Sequence, residues 1–216
     1  MVHAHAFRRF ALTAGLALML AAPATAPAQI GSDSYQFIEA IKKVAKGDDG
    51  EPAKKAQDFV NEPGATLVNT KDRDTGRTAL HFVAEANRVD WVGYLLGRGA
   101  KPDFRDKEGN TPLMLAVLRR AYDSVDVLLR VGARVDDPNN GGETPLINAV
   151  HAGDLRLVRL LLSKGANPDR PDTLSGLSAR QHAARVTRAP QLLKAIEDND
   201  AKKAAPVPAA KPKIKL

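Results

Sequence analysis

The apolar residues of this chain follow a pattern that recurs every 33 positions. A pair of leucines occupies positions 95–96, and the same pair returns at 128–129 and at 161–162. Each pair is soon followed by Gly-Ala, and each is preceded by a Gly-x-Thr sequence that begins at Gly76, Gly109 or Gly142. A fixed period of this length indicates stacked units, each of which buries its apolar face only against its neighbours.

Within each period the sequence predicts two helices joined by a turn. Threonine is a favoured N-cap, and proline suits the first helical turn, where its missing N–H costs nothing. The glycine after each leucine pair is a typical helix stop. We therefore predict first helices at about 78–86, 111–119 and 144–152, and second helices at about 89–97, 122–131 and 155–164.

The starts of the three first helices resemble the Thr-Pro-Leu-His motif of the ankyrin repeat: they read Thr78-Ala-Leu-His81, Thr111-Pro-Leu-Met114 and Thr144-Pro-Leu-Ile147. The resemblance implies an all-α ankyrin-repeat solenoid of about five helix-turn-helix units with short hairpin-like turns between them. It also implies that His81, at the motif histidine, makes hydrogen bonds between neighbouring repeats and is not a catalytic base or a metal ligand.

Weaker units flank the three strong ones. The segment from Phe37 to Ile41 has helical apolar spacing, and Gly176-Leu-Ser178 resembles the Gly-x-Thr opening. Degenerate end units with polar outer faces keep a solenoid soluble. The predicted repeat domain spans 35–198 and divides into 35–70 as N-terminal cap, 71–105, 106–138, 139–171, and 172–198 as C-terminal cap, after a short linker at 29–34.

The first 28 residues have the character of a signal peptide. Arg8 and Arg9 precede an apolar run over 11–22, and Ala26-Pro-Ala28 forms an Ala-x-Ala cleavage site. The alternative is a membrane anchor, but the run is too short for a bilayer core that needs about 20 apolar residues. We predict cleavage after Ala28 and a periplasmic location in a bacterium. General secretion is favoured over twin-arginine export, because the residues around the arginine pair fit that motif poorly.

The tail over 199–216 is rich in alanine, proline and lysine and is predicted to be disordered. It acts as a solubilising appendage or, in a second interpretation, makes a weak electrostatic contact with an anionic envelope surface. The net charge of +7 comes entirely from the two leader arginines and five tail lysines, since the body over 29–200 holds 25 basic and 25 acidic residues. No basic stripe is left there, which argues against nucleic acid as a partner.

The sequence offers little chemistry. It has no cysteine, no metalloprotease or nucleophile-elbow motif and no phosphate-binding loop. Asp72 and Asp74 superficially resemble a calcium loop, but the later ligand positions are missing, so a turn is the better interpretation. Trp91 and Tyr94 are predicted to pack in the helix layer. We predict no enzyme activity, no cofactor and no metal site.

The resemblance implies that a partner protein meets the hairpin tips and the exposed face of the first helices. The tips comprise Asp74, Thr75, Arg77, Lys107, Glu108, Asn110, Asn140, Gly141 and Glu143. The helix face comprises Glu85, Ala86, Leu118, Arg119, His151 and Ala152. Two departures from the family pattern predict altered connections: Arg73 and Asn139 replace the turn aspartate, and Asn87 and Arg120 replace the glycine between helices.

The sequence thus predicts a monomeric, non-enzymatic scaffold that binds one or more proteins in the periplasm. One alternative is an immunity or accessory protein that occludes or stabilises a periplasmic toxin or enzyme. Another is a hydrolase with an unconventional site, which requires a concave cluster of titratable side chains that the sequence does not reveal.

Overall fold

The structure, a computed structural model, describes residues 27–62 and 67–204, with side chains for those of 33–203. The helices of this part are α1 (Pro27–Ala45), α2 (Glu51–Asn61), α3 (Ala79–Glu85), α4 (Val89–Gly97), α5 (Pro112–Leu118), α6 (Tyr122–Arg130), α7 (Pro145–His151), α8 (Leu155–Ser163), α9 (Ala179–Arg185) and α10 (Pro190–Ala204). A short 3-10 helix spans Leu67–Asn69. None of the described helices is long and apolar enough to span a membrane.

The ten helices of the described residues form five consecutive pairs, which confirms the all-α solenoid. The first helices α1, α3, α5, α7 and α9 stack in one row, each against the next. The second helices lie behind them, with contacts between α4 and α6 and between α8 and α10. Each central pair matches its predicted bounds to within one residue at either end.

One continuous apolar core runs through the stack. Leucines at the same place in successive units, Leu80, Leu113 and Leu146, are fully buried on the first helices. Leu95, Leu128 and Leu161 are fully buried on the second helices. Because each unit has too little apolar surface to fold alone, the units stabilise one another through these contacts.

Capping side chains start the first helices where the sequence predicts. The hydroxyls of Thr111 and Thr144 accept hydrogen bonds from the backbone N–H three residues ahead, at 3.2 and 3.3 Å. Ser178 does the same in the last unit, at 3.4 Å. Such caps satisfy N–H groups that a helix start leaves without partners.

Both ends of the repeat domain are more helical than predicted. Residues 29–34, expected as a linker, lie within α1, because Pro27 suits a first helical turn and the segment runs directly into the apolar stripe that begins at Phe37. At the other end α10 continues to Ala204, where Asp200 pairs with Arg180 at 2.8 Å and alanine and lysine favour the helix. The rest of the predicted leader and of the tail lies outside the described residues.

The prediction that Asn87 and Arg120 alter the connection between helices is wrong. Both residues adopt a left-handed backbone with φ of 55°, close to the 65° of Gly153 at the equivalent turn. Asn87 is a tolerated residue in this region, and its side chain also donates to Asp123 and accepts from the Ser124 N–H. The connection therefore keeps one shape in all three central units.

The turn aspartate is also present in the first hairpin, although one residue earlier than expected. The carboxylate of Asp72, not Arg73, accepts hydrogen bonds from the N–H and the hydroxyl of Thr75. The loop is one residue longer than in the next hairpin, which accommodates the shift. In the third hairpin Asn139 accepts from the N–H groups of Gly141 and Glu143 through its amide oxygen. An amide oxygen thus replaces a carboxylate without changing the turn.

Candidate functional site

His81 is a structural residue that links two units. Its Nδ1 accepts a hydrogen bond from the Thr78 N–H at 3.0 Å, and its Nε2 lies 3.1 Å from the carbonyl oxygen of Asn110 in the next unit. The ring is fully buried, and this burial lowers its pKa to about 4 despite the bond to Asn110. The histidine is therefore neutral at pH 7 and holds the cap and the neighbouring hairpin together, which confirms the interpretation of His81.

The lowered pKa of His81 predicts a loss of stability in mild acid. The unfolded chain takes up a proton near pH 6.5 and the folded chain only near pH 4, so the free energy of unfolding falls as pH drops through this window. The expected loss from this residue is about 3 kcal/mol. Urea unfolding at several pH values measures it.

His81→Gln is the matched variant, because Gln181 fills the same capping position in the last unit. It keeps the cap and removes the titrating group, so its stability should fall less between pH 6.5 and pH 4. Equal losses in both chains would show that His81 does not cause the acid sensitivity.

The hairpin tips form a rigid row. Each tip donates one backbone hydrogen bond to the tip before it, which joins Lys107 to Thr75 (2.9 Å), Asn140 to Glu108 (3.0 Å) and Thr173 to Gly141 (3.1 Å). The Asn140 side chain adds a bond to the carbonyl oxygen of Lys107 at 2.8 Å. The backbone of each tip is therefore held against that of the next before any partner arrives.

We call the solvent-accessible residues of the predicted set, without the small residues Ala86, Gly141 and Ala152, the candidate surface. It consists of Asp74, Thr75, Arg77, Glu85, Lys107, Glu108, Leu118, Arg119, Asn140, Glu143 and His151, all of them exposed or half-exposed. Asn110 does not belong to it. That residue is buried, its N–H donates to Asp106 at 2.7 Å, and its carbonyl faces His81, so it holds the hairpin and is not available to a partner.

A charge network crosses the candidate surface between the first helices. Glu85 pairs with Arg77 at 2.7 Å in its own unit and with Arg119 at 2.8 Å in the next. Arg77 also reaches the fully buried carboxylate of Asp106 at 3.4 Å. Arg77 is thus partly structural, whereas the side chain of Arg119 is 67% exposed and is presented to solvent.

Exposed apolar side chains accompany these charges. Leu118, at the end of α5 beside Arg119, is 49% exposed. Leu174, at the tip of the last described hairpin, is 90% exposed. The surface predicted from the sequence does not include Leu174, because that surface stops before the C-terminal cap unit. Its turn is equivalent to the turn that contains Asn140, and this equivalence is the sequence signal that could have placed Leu174 on the surface. Each of these side chains offers apolar contact area to a partner that binds beside the charges.

A second feature that the sequence did not reveal is a polar cluster between α7 and α9. Nε2 of His151 lies 3.1 Å from Nδ1 of His182, and Nε2 of His182 lies 3.0 Å from Asp172. Glu143 is 3.8 Å from Nδ1 of His151. The histidines occupy different positions in their units, so the repeat pattern gives no sign that they meet.

The cluster includes Ser175 but does not have the geometry of a Ser-His-Asp triad. A triad places the serine and the aspartate on opposite ring nitrogens, so that the ring can take the serine proton. Here Ser175 (3.4 Å) and Asp172 (3.0 Å) both approach Nε2 of His182, and the Ser175 hydroxyl donates to Asp172 at 2.7 Å. The serine is not activated as a nucleophile in this arrangement.

Asp172 is held as a carboxylate. Burial by itself raises the pKa of Asp172, but hydrogen bonds from the Ser175 hydroxyl, from His182 and from two backbone N–H groups outweigh it and leave the pKa far below its usual value. The pKa of His151 is lowered, first by burial and then by its proximity to His182. Among the described residues, no group of three or more His, Asp or Glu side chains is arranged to hold a metal ion.

Comparison with known families identifies the repeat. The family model described as ankyrin repeats (3 copies) matches residues 56–139 and 98–172, which together cover more than half of the chain. This family is a protein-interaction module, and its repeats bind other proteins.

Individual relatives match only part of the repeat domain. An ankyrin repeat protein of Acanthamoeba polyphaga mimivirus is 43% identical over 49 residues, which are 23% of this chain and 7% of that protein. A BTB/POZ domain and ankyrin repeat-containing protein of rice is 46% identical over 52 residues, 24% of this chain and 10% of the relative. An ankyrin repeat protein of Rickettsia felis is 36% identical over 55 residues, 24% of each chain. The chain therefore spans a quarter or less of these relatives.

Proposed function

Because the chain belongs to the ankyrin-repeat family, we propose that it is a non-enzymatic scaffold that binds a protein partner through the candidate surface. The observation that carries this proposal is the row of tips joined by backbone hydrogen bonds. A surface whose backbone is already ordered loses less conformational entropy when it binds, so more of the contact energy appears as affinity.

The chemistry of the surface favours a protein over a polyanion. Lys107 and Glu108 stand side by side at one tip, and Arg119 lies beside the exposed Leu118 on the neighbouring helix. Opposite charges at close range give a uniformly charged partner little net attraction and orient a partner with a matching mixed pattern. The exposed apolar side chains lose contact with water when a partner binds, and this burial stabilises the complex.

We further propose that the scaffold acts in the bacterial periplasm, on the basis of the predicted leader over 1–28, and that it acts there as a monomer. Within that compartment an immunity or accessory role is the finer alternative, in which the bound protein is a toxin or an enzyme that the scaffold occludes or stabilises. Identification of the bound protein distinguishes these roles: a toxin indicates immunity, and an enzyme whose lifetime or activity depends on the scaffold indicates an accessory protein.

The proposal predicts that charge reversal on the candidate surface abolishes capture of the partner. The test variant is Lys107→Glu with Arg119→Glu, two exposed side chains of the same unit, one at its hairpin tip and one at the end of α5. Arg77 is left intact because its ion pairs with Glu85 and Asp106 support the fold. Affinity capture from a periplasmic extract, followed by mass spectrometry, compares the variant with the unaltered chain.

The matched control reverses two exposed charges on the other row of helices, Arg159→Glu with Lys164→Glu. Partners specific to the unaltered chain should be lost with the surface variant and retained with the control. If the surface variant retains every partner, or if only the control loses them, the candidate surface is not the binding site.

A further inference from the structure

We propose that His151 and His182 form a two-histidine site for Zn²⁺ on the face between α7 and α9. Imidazole nitrogen is a preferred zinc ligand at about 2.0–2.1 Å. Two such nitrogens on one tetrahedral ion lie about 3.3 Å apart. Nε2 of His151 and Nδ1 of His182 are separated by 3.1 Å, close to that spacing, and come from different units of the solenoid.

The carboxylates around the pair occupy the positions that support metal-binding histidines. A ligating histidine almost always turns its other ring N–H to a carboxylate or carbonyl oxygen, which fixes the tautomer and increases ligand basicity. Asp172 lies 3.0 Å from Nε2 of His182, and Glu143 lies 3.8 Å from Nδ1 of His151. Each histidine thus has its carboxylate on the nitrogen that faces away from the other ring.

When the ring proton of His182 lies on Nε2 and points to Asp172, the other nitrogen, Nδ1, carries the lone pair. In the absence of metal this lone pair accepts the Nε2 proton of neutral His151, which leaves Nδ1 of His151 without a proton beside Glu143. Zinc replaces that shared proton. The proton of His151 moves to its Nδ1, on the side of Glu143, so this change of tautomer releases no proton.

The ring of His151 has room to adjust. The two rings meet edge to face with centroids 4.3 Å apart, so both lone pairs converge on one ion only after His151 turns. Its side chain is 42% exposed, whereas that of His182 is 14% exposed and held by Asp172. His182 is therefore the fixed ligand and His151 the mobile one. The remaining positions on the ion are open to water or to a side chain of a bound protein.

Calorimetric titration of the full chain with zinc chloride at pH 7.5, without a polyhistidine tag, tests the site. We expect one saturable site that weakens at least tenfold in His151→Ala. Glu143→Gln should weaken it about tenfold, since loss of a supporting carboxylate typically costs 10–100-fold in metal affinity. In a preparation that keeps the predicted leader, His3→Ala with His5→Ala is the control for the histidines near the N-terminus and should bind zinc at the proposed site as the unaltered chain does.

Ring-nitrogen NMR provides a readout that a purely structural pair would not show. Zinc should shift the NMR resonances of Nε2 of His151 and Nδ1 of His182. Without zinc, in the presence of chelator, the His151→Ala chain should keep the melting temperature of the unaltered chain. The proposal is overturned if His151→Ala binds zinc as tightly as the unaltered chain, or if the unaltered chain shows no saturable binding at millimolar zinc.

Discussion

Replacing Gly142 by alanine is expected to destabilise the chain by about 2–5 kcal/mol. Gly142 has a φ of 77°, a left-handed conformation that costs an L-residue about 1–2 kcal/mol. An added methyl group would also lie only 2.5 Å from the backbone nitrogen of Thr173 and 2.8 Å from its Cγ2. Relief of that contact requires movement of the next hairpin and disrupts the bond from Thr173 to Gly141.

Gly176→Ala is the matched control, because Gly176 has the same place in its hairpin and a φ of 69°, but nothing lies within 4 Å of an added Cβ. Only the backbone strain remains, so the expected cost is about 1–2 kcal/mol. Urea unfolding of both variants measures the difference. Equal costs would show that the contact between hairpins contributes nothing to stability.

Replacing Leu128 by alanine is expected to cost about 2–5 kcal/mol, the range for a fully buried leucine. Leu128 lies on α6 in the central unit and is completely buried. The cavity cannot collapse easily, because helices pack on both sides of this unit. Loss of this contact weakens the interfaces on which both neighbouring units depend.

Leu192→Ala in α10 tests whether the position in the array matters. Leu192 is also completely buried, but its unit has a described neighbour on one side only. In a linear array an end unit can unfold locally, so its defect is partly isolated and the measured cost should be smaller. Equal losses in denaturant melts of the two variants would contradict the linear array.

The sequence predicts the solenoid well because the fold is local and repetitive. Threonine caps, glycine stops and leucine pairs each act within a few residues, and three copies of the pattern reinforce one another. The ends are harder to predict, because a helix such as α1 can extend through residues with no strong signal of their own. The extension of α10 depends on Arg180, which pairs with Asp200 from a neighbouring helix.

The candidate surface could be predicted only in outline. Periodicity places a residue on a tip or helix face but does not give its hydrogen bonds, which is why Asn110 was counted as exposed although it is buried beneath its hairpin. Contacts between residues that occupy different positions in their units are harder still to predict from the sequence. His151 and His182 meet through the stacking of α7 on α9, and no spacing rule within a single unit relates them.

The most direct test of the binding proposal is the affinity of the captured protein for three chains, measured by calorimetry at one salt concentration. The account predicts binding at least tenfold weaker for Lys107→Glu with Arg119→Glu than for the unaltered chain, since charge pairs across an interface contribute on the order of 1.5 kcal/mol or more. The control, Arg159→Glu with Lys164→Glu, should bind as the unaltered chain does. Unchanged affinity in the surface variant would contradict the account, whatever the affinity of the control.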